Sequence, residues 1–140
     1  MIDRDLITRK LALIAADLKA LAPLAAKSVD EYLRSKIDEV LVERYLERIV
    51  GRMIDVNYHL LTESGHPPPT DYYQSFTQLS KLGILPAAFA AQIAACAGLR
   101  NRLVHEYDDI DAERVHEAAA AVVRDIPEYA THVQRFLKQG

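Results

Sequence analysis

The chain has 140 residues, of which 50% are hydrophobic and 26% charged, and its formal net charge is -3. This composition is typical of one globular domain and excludes a disordered or fibrous chain. The sequence pI of about 5.9 argues against non-specific coating of nucleic acid, which generally needs a basic surplus, but leaves room for a local basic pocket.

The single cysteine and the distribution of apolar residues indicate in which cellular compartment the protein is expected. Cys96 has no second thiol with which to form a disulfide or a thiolate metal site, so we expect a small buried core residue. No apolar run approaches the roughly 20 residues that span a membrane. The amino-terminal residues show no signal-peptide pattern. We therefore expect a cytoplasmic protein without a membrane segment.

Two long stretches in the first half of the chain have helical periodicity. Residues 3–22 carry an apolar stripe, and we expect Pro23 to stop this helix or to lie just beyond its end. Ser28 is a suitable cap for a short helix, and the stripe returns over residues 37–63. The two stripes comprise Ile7, Leu11, Ile14, Leu18 and Leu21, and then Val42, Leu46, Ile49, Met53, Val56 and Leu60.

Two helices are predicted after the proline-rich loop at residues 67–69. Thr70 or Asp71 caps a short helix that Gly83 closes. A longer helix over residues 87–104 contains seven alanines before Gly98, so we expect it to lie close to its neighbours.

The last helix begins near Asp111, a suitable N-cap, and Pro127 inside it predicts a kink. Its stripe consists of Val115, Ala119, Val122, Ile126, Tyr129, Val133 and Phe136. No segment alternates in the manner of a strand. The pattern predicts an all-α fold, an antiparallel four-helix bundle with one or two extra short helices.

The stretch from Gly98 to Asp111 contains side chains that are suited to RNA cleavage. A guanidinium such as that of Arg100 can hold a phosphate and stabilise the charge that develops on it. Histidine side chains ordinarily titrate at about pH 6.5 and can exchange a proton with the ribose 2′-hydroxyl or the leaving oxygen. Metal is not needed when the 2′-hydroxyl is the nucleophile.

The spacing leaves open how one site uses both Arg100 and His105. On a regular helix, Asn101 and His105 share a face, whereas Arg100 and His105 point about 140° apart. The helix could end near Val104 so that His105 turns back, or the arginine could curl round. A second copy of the chain could also complete the site across a two-fold axis.

Other interpretations apply to the neighbouring residues. The carboxylates that follow His105 could form a hard-metal site, although helix capping and solvation explain them more simply. Arg102 could contact a phosphate or could be a solvated helix residue. Tyr72 and Tyr73 could stack on bases, but packing at a helix start is the simpler role.

The sequence Gly98-Leu99-Arg100-Asn101-Arg102-Leu103-Val104-His105-Glu106-Tyr107-Asp108 resembles the signature of HEPN-domain proteins. In that signature an arginine precedes a histidine by five positions. The asparagine after the arginine and the tyrosine two positions after the histidine resemble the HepT branch, which comprises toxins of two-gene toxin–antitoxin systems. The resemblance extends over most of the chain, because the long helices and the proline-rich loop also fall in the expected order.

The resemblance implies a single HEPN-type helical domain over residues 1–140 that forms a homodimer and brings two motifs together in a cleft. It implies metal-independent endoribonuclease activity on tRNA or mRNA, with no cofactor. Arg100 and His105 would form the catalytic pair, Asn101 would position His105 or the phosphate, and Arg102 would add a contact to RNA.

The HepT branch is paired with a nucleotidyltransferase antitoxin of the MNT type. That partner is thought to transfer AMP to the tyrosine of the motif, here Tyr107. Phosphate charge and bulk two residues from the catalytic histidine would repel RNA and block the cleft.

Two other classes of function remain open from the sequence. The same arginine and histidine could hold a nucleotide phosphate in a non-catalytic binding or scaffolding partner of a nucleotidyltransferase. A pure dimerisation bundle without a ligand is least favoured, because the whole motif is intact. The acidic balance is a mild objection to RNA binding, unless two motif copies form a local basic cleft.

Overall fold

The apolar stripes become the buried faces of packed helices in the computed structural model, which describes residues 1–139 except for the side chain of Tyr107. Across these residues the chain forms seven α-helices and two short 3₁₀ turns, without a strand. The predicted all-α fold is confirmed. The helices are α1 Arg4–Ala25, α2 Val29–Leu33, α3 Lys36–Glu63, α4 Tyr72–Thr77, α5 Ala87–Ile93, α6 Ala95–His105 and α7 Ala112–Gln139.

The core lies between the long helices α1, α3 and α7, and α6 packs against α3 at one side. Nearly all of the predicted stripe residues are buried in it, whereas Leu18 and Phe136 lie at its edge. Burying a large apolar side chain contributes about 1.5–3 kcal/mol, which offsets part of the entropy lost on folding. Within the described residues, no helix combines the length and apolarity needed to cross a bilayer.

Polar side chains begin several of the helices, as predicted. Ser28, Asp71 and Asp111 each accept a hydrogen bond from a backbone N–H in the first turn of α2, α4 and α7, at 3.2, 2.8 and 3.1 Å. A cap of this kind contributes about 1 kcal/mol. Gly83 has a φ of +74°, which glycine adopts without strain, and it ends the segment that follows α4.

Two predicted helix boundaries are wrong. Pro23 lies inside α1, because a missing N–H in the last turn costs only one hydrogen bond and the helix continues to Ala25. The helix predicted over residues 87–104 is divided at Ala94 into α5 and α6. Ala94 keeps helical dihedral angles, with φ −60° and ψ −22°, and the N–H of Ala97 donates to its carbonyl at 3.1 Å, so the two helices are divided by one tighter turn. The kink at Pro127 stays a prediction, and α7 continues through that residue.

Candidate active site

The Arg–His motif occupies the carboxyl-terminal half of α6. α6 ends at His105, one residue after Val104, and His105 itself is still the last helical residue. At about 100° per residue, the side chains of Arg100 and His105 leave the helix about 140° apart. Helix geometry alone therefore does not bring them to one point within a protomer.

Arg100 packs against α4. Its guanidinium lies over the aromatic ring of Tyr72, with 5.3 Å between Cζ and the ring centre. Its Nε is buried and has no hydrogen-bond partner among the described residues. A guanidinium within about 6 Å of a ring face is attracted to it without losing its charge. Arg100 thus has a defined position against α4, and no described carboxylate offsets its charge.

Asn101 and His105 are both exposed on α6. They are four residues apart and so lie on one face of the helix, as predicted. The helix ends directly after them, where the N–H of Glu106 donates to the carbonyl of Arg102 at 2.8 Å. Both polar side chains are therefore accessible to a substrate or to a second copy of the chain.

Arg102 lies on the other side of α6 from Arg100. It lines a groove of about 570 Å³ between α6 and α7, which is called the α6–α7 groove below. Arg114 also lines this groove, and its wall includes apolar side chains such as Met53 and Leu99. The volume falls within the range of about 300–1,000 Å³ that is usual for ligand pockets.

Tyr107 begins a 3₁₀ turn, Tyr107–Asp109, directly after α6. The predicted role of this tyrosine depends on its side chain, which lies outside the described part of the structure. Glu106 and Asp108 beside it are exposed. Among the described residues, no three histidine, cysteine or carboxylate side chains are grouped so that they could hold a metal ion.

Other residues that the sequence left unassigned lie in different surroundings. Asp55 pairs with Lys10 of α1 at 3.0 Å. Glu43 is half-buried, and burial raises the pKa of its carboxyl, with the neighbouring charge of Glu39 adding to the effect. Tyr73 remains half exposed.

The sequence did not pair Tyr72 with Arg100. The sequence did predict that Tyr72 packs at the start of a helix, and Tyr72 is the first residue of α4. An arginine–aromatic contact between distant segments has no spacing signature. Covariation between homologous sequences is the signal that could have found it.

Comparison with known proteins decides the family. A family model described as ribonuclease HepT-like matches residues 11–135. The chain belongs to the HepT-like ribonuclease family. It is similar to tRNA nuclease HepT of Aphanizomenon flos-aquae, with 36% identity over 136 residues that cover 97% of this chain and 92% of that protein. The predicted HepT-type HEPN family and the predicted class of enzyme, an RNA endonuclease, are thereby confirmed.

A more distant relative agrees with this assignment. A putative RNase of Archaeoglobus fulgidus is 26% identical to the chain over 115 residues, which cover 82% of this chain and 86% of that protein.

Solved structures share the fold. A tri-AMPylated HEPN toxin of Shewanella oneidensis in complex with MNT antitoxin superposes with a TM-score of 0.84 at 20% identity, covering 95% of this chain and 99% of that one. The cytosolic protein YutE of Bacillus subtilis, of unknown function, superposes with a TM-score of 0.85 at 15% identity. The match covers 99% of this chain and 92% of that one. A toxin–antitoxin structure with AMP-PNP superposes with a TM-score of 0.81 at 19% identity. The match covers 94% of this chain and 99% of that one. At these identities the likeness concerns the fold alone.

Proposed function

We propose that this protein is the toxin of a toxin–antitoxin pair and acts as a metal-independent endoribonuclease on tRNA or mRNA. The observation that carries the proposal is the 36% identity, over 97% of the chain, to a protein named a tRNA nuclease. The toxin role is supported by the fold neighbour from Shewanella oneidensis, which is described as a HEPN toxin with an MNT antitoxin.

Arg100 and His105 are the proposed catalytic pair. The ribose 2′-hydroxyl attacks the adjacent phosphorus, the bond to the 5′-oxygen breaks, and the products carry a 2′,3′-cyclic phosphate and a 5′-hydroxyl. His105 takes the proton from the 2′-hydroxyl or gives one to the leaving oxygen. Arg100 binds the phosphate and stabilises its developing charge, an effect worth roughly 10²–10³ in rate for a well-placed donor. Asn101, on the same face as His105, positions that histidine or the phosphate.

The proposed active form is a homodimer. Arg100 packs against α4, whereas His105 is exposed on α6 in a direction about 140° away. A two-fold axis near the end of α6 would bring Arg100 of one protomer towards the histidine of the second. Two copies of the motif would also concentrate positive charge that the acidic chain otherwise lacks.

Tyr107 is the proposed site at which a nucleotidyltransferase antitoxin attaches AMP. The fold neighbour from Shewanella oneidensis is described as tri-AMPylated, which supports this kind of control. Tyr107 lies two residues after His105, so an attached AMP would bring negative charge and bulk next to the proposed catalytic histidine.

Intact mass spectrometry tests the antitoxin part of the proposal. The protein expressed with the nucleotidyltransferase should gain the mass of one or more AMP units, and Tyr107→Phe should not. Tyr73→Phe is the matched control, because Tyr73 is an exposed tyrosine outside the motif, and it should still gain the mass. If no mass is added and the protein binds AMP or ATP without cutting RNA, the alternative of a non-catalytic nucleotide-binding partner is favoured.

A further inference from the structure

Arg100 is held by an aromatic ring rather than by a carboxylate. None of the ion pairs between described residues includes it, and its buried Nε has no partner there. A carboxylate would offset the charge that a phosphate needs. An aromatic ring holds the guanidinium without offsetting its charge, which remains able to attract a phosphate.

Tyr72 is itself fixed at two points. Asp71 caps α4 by accepting a hydrogen bond from the N–H of Gln74 at 2.8 Å, which sets the start of the helix at Tyr72. The Tyr72 ring meets the ring of Tyr58 edge-on, with 6.1 Å between their centres. Burial raises the pKa of Tyr58, and Tyr72 and Asp71 raise it further, so this supporting ring stays neutral. The ring under Arg100 therefore has a defined place.

A buried polar chain connects Tyr72 to the core. The hydroxyl of Tyr129 donates to Asn57 Oδ1 at 2.6 Å, Asn57 Nδ2 donates to Ser75 Oγ at 3.2 Å, and Ser75 Oγ donates to the carbonyl of Tyr72 at 2.6 Å. Tyr129, Asn57 and Ser75 are fully buried and belong to α7, α3 and α4. Satisfied buried networks of this kind fix the relative positions of the elements that they join.

We propose that Tyr72 is a positioning residue for RNA cleavage, which holds the Arg100 guanidinium where it binds the scissile phosphate, and that the buried polar chain fixes Tyr72 in turn. The inference rests on the proposed function, since it takes Arg100 as the phosphate-binding group. Tyr72 acts through Arg100 and does not itself contact the reacting atoms.

Steady-state cleavage of tRNA by Tyr72 variants is the first test. Tyr72→Leu removes the ring and should lower kcat roughly tenfold, the effect expected for a partly desolvated cation–π contact. Tyr72→Phe keeps the ring and should retain most of the wild-type kcat. Tyr73→Leu, a change at the exposed neighbour, should keep the wild-type rate. Equal rates for Tyr72→Leu and Tyr73→Leu in folded protein would overturn the proposal.

A double-mutant cycle separates positioning from a general structural effect. All four proteins carry His105→Ala so that tRNA is bound without being cut, and tRNA affinity is measured by fluorescence anisotropy. Tyr72→Leu should weaken binding several-fold when Arg100 is present and have no effect when it is replaced by alanine. An equal loss in both backgrounds would show that Tyr72 does not act through Arg100 and would contradict the proposal.

The NMR resonance of the Arg100 Nε–H distinguishes failure of this inference from failure of the proposed function. A ring beneath the guanidinium shifts that proton upfield in the wild type and in Tyr72→Phe, but not in Tyr72→Leu. If the wild type neither binds nor cuts tRNA, the proposed function fails and this resonance decides alone whether Tyr72 holds Arg100. If the Arg100 Nε–H has the same chemical shift in Tyr72→Phe and Tyr72→Leu, the inference is rejected, whatever the cleavage activity.

Discussion

Arg100 and Arg102 lie on opposite sides of α6, although only one residue separates them. Arg100 lies over Tyr72 of α4, whereas Arg102 lines the α6–α7 groove together with Arg114. Two helical steps turn a side chain through about 200°. The two arginines therefore do not serve one phosphate within a protomer, and their substitution has different expected effects.

Substitution of the groove arginines should weaken the binding of RNA more than its cleavage. Arg102→Ala or Arg114→Ala should raise KM and lower the slope of log affinity against log salt by about 0.7 for each single-strand phosphate contact that is lost. The slope is measured from tRNA binding at several salt concentrations, with His105→Ala present to prevent cleavage. Arg135→Ala, at an exposed position of α7 outside the groove, is the control. A loss of kcat as severe as that of Arg100→Ala would contradict this separation of roles.

Mixing two inactive variants tests the composite site. If Arg100 of one protomer works with the histidine of the other, a heterodimer of Arg100→Ala and His105→Ala retains one intact site of two. An equal mixture after subunit exchange should then recover about a quarter of the wild-type rate, since half of the dimers are mixed. Recovery of no activity, with exchange verified by mass spectrometry, would place both groups of the site in one protomer.

Tyr129→Phe should destabilise the fold through the buried polar chain. The substitution keeps the ring against Phe76 but leaves Asn57 Oδ1 buried without its donor at 2.6 Å. The expected loss in the free energy of unfolding is about 1–3 kcal/mol. Urea denaturation measures it, with Tyr73→Phe at an exposed position expected within about 0.5 kcal/mol of the wild type. An unchanged stability would show that the hydrogen bond to Asn57 has no net effect.

Cys96 should react slowly with thiol reagents in the native state. Burial raises the pKa of its thiol to about 12, and the charge of Asp125 adds to the effect. Cys96 is partly buried at the edge of the core, where it lines the α6–α7 groove, and so is not the fully buried core residue that the sequence predicted. Because the thiolate is the reactive form, native protein at pH 8 should be labelled at least about tenfold more slowly than unfolded protein. The chain has one cysteine, so the signal of a colorimetric thiol reagent reports on Cys96 alone. Equal rates in buffer and in urea would contradict the assigned environment.

Most of the fold could be predicted from hydrophobic spacing. Ile126 and Tyr129, which are three apart in the stripe of α7, are both buried because a helix turns through that spacing onto one face. The break at Ala94 could not be predicted, because alanine favours the continuing helix and carries no side chain that marks an end.

The candidate site was only partly encoded in local spacing. The five-residue interval predicted the divergence of Arg100 and His105 along α6, and the structure has a regular helix through His105. The contact between Arg100 and Tyr72 depends on how α4 packs against α6, which no interval in the sequence specifies. The position of Arg102 in the α6–α7 groove could not be predicted either, because it depends on where α7 lies.

The most direct test of ribonuclease action is the cleavage of tRNA by purified protein in the presence of EDTA. The wild type should yield fragments with 2′,3′-cyclic phosphate and 5′-hydroxyl ends, and His105→Ala should be slower by roughly 10²–10⁴. Intact tRNA after incubation with the unmodified wild type, or the same fragments at the same rate from His105→Ala, would contradict the account.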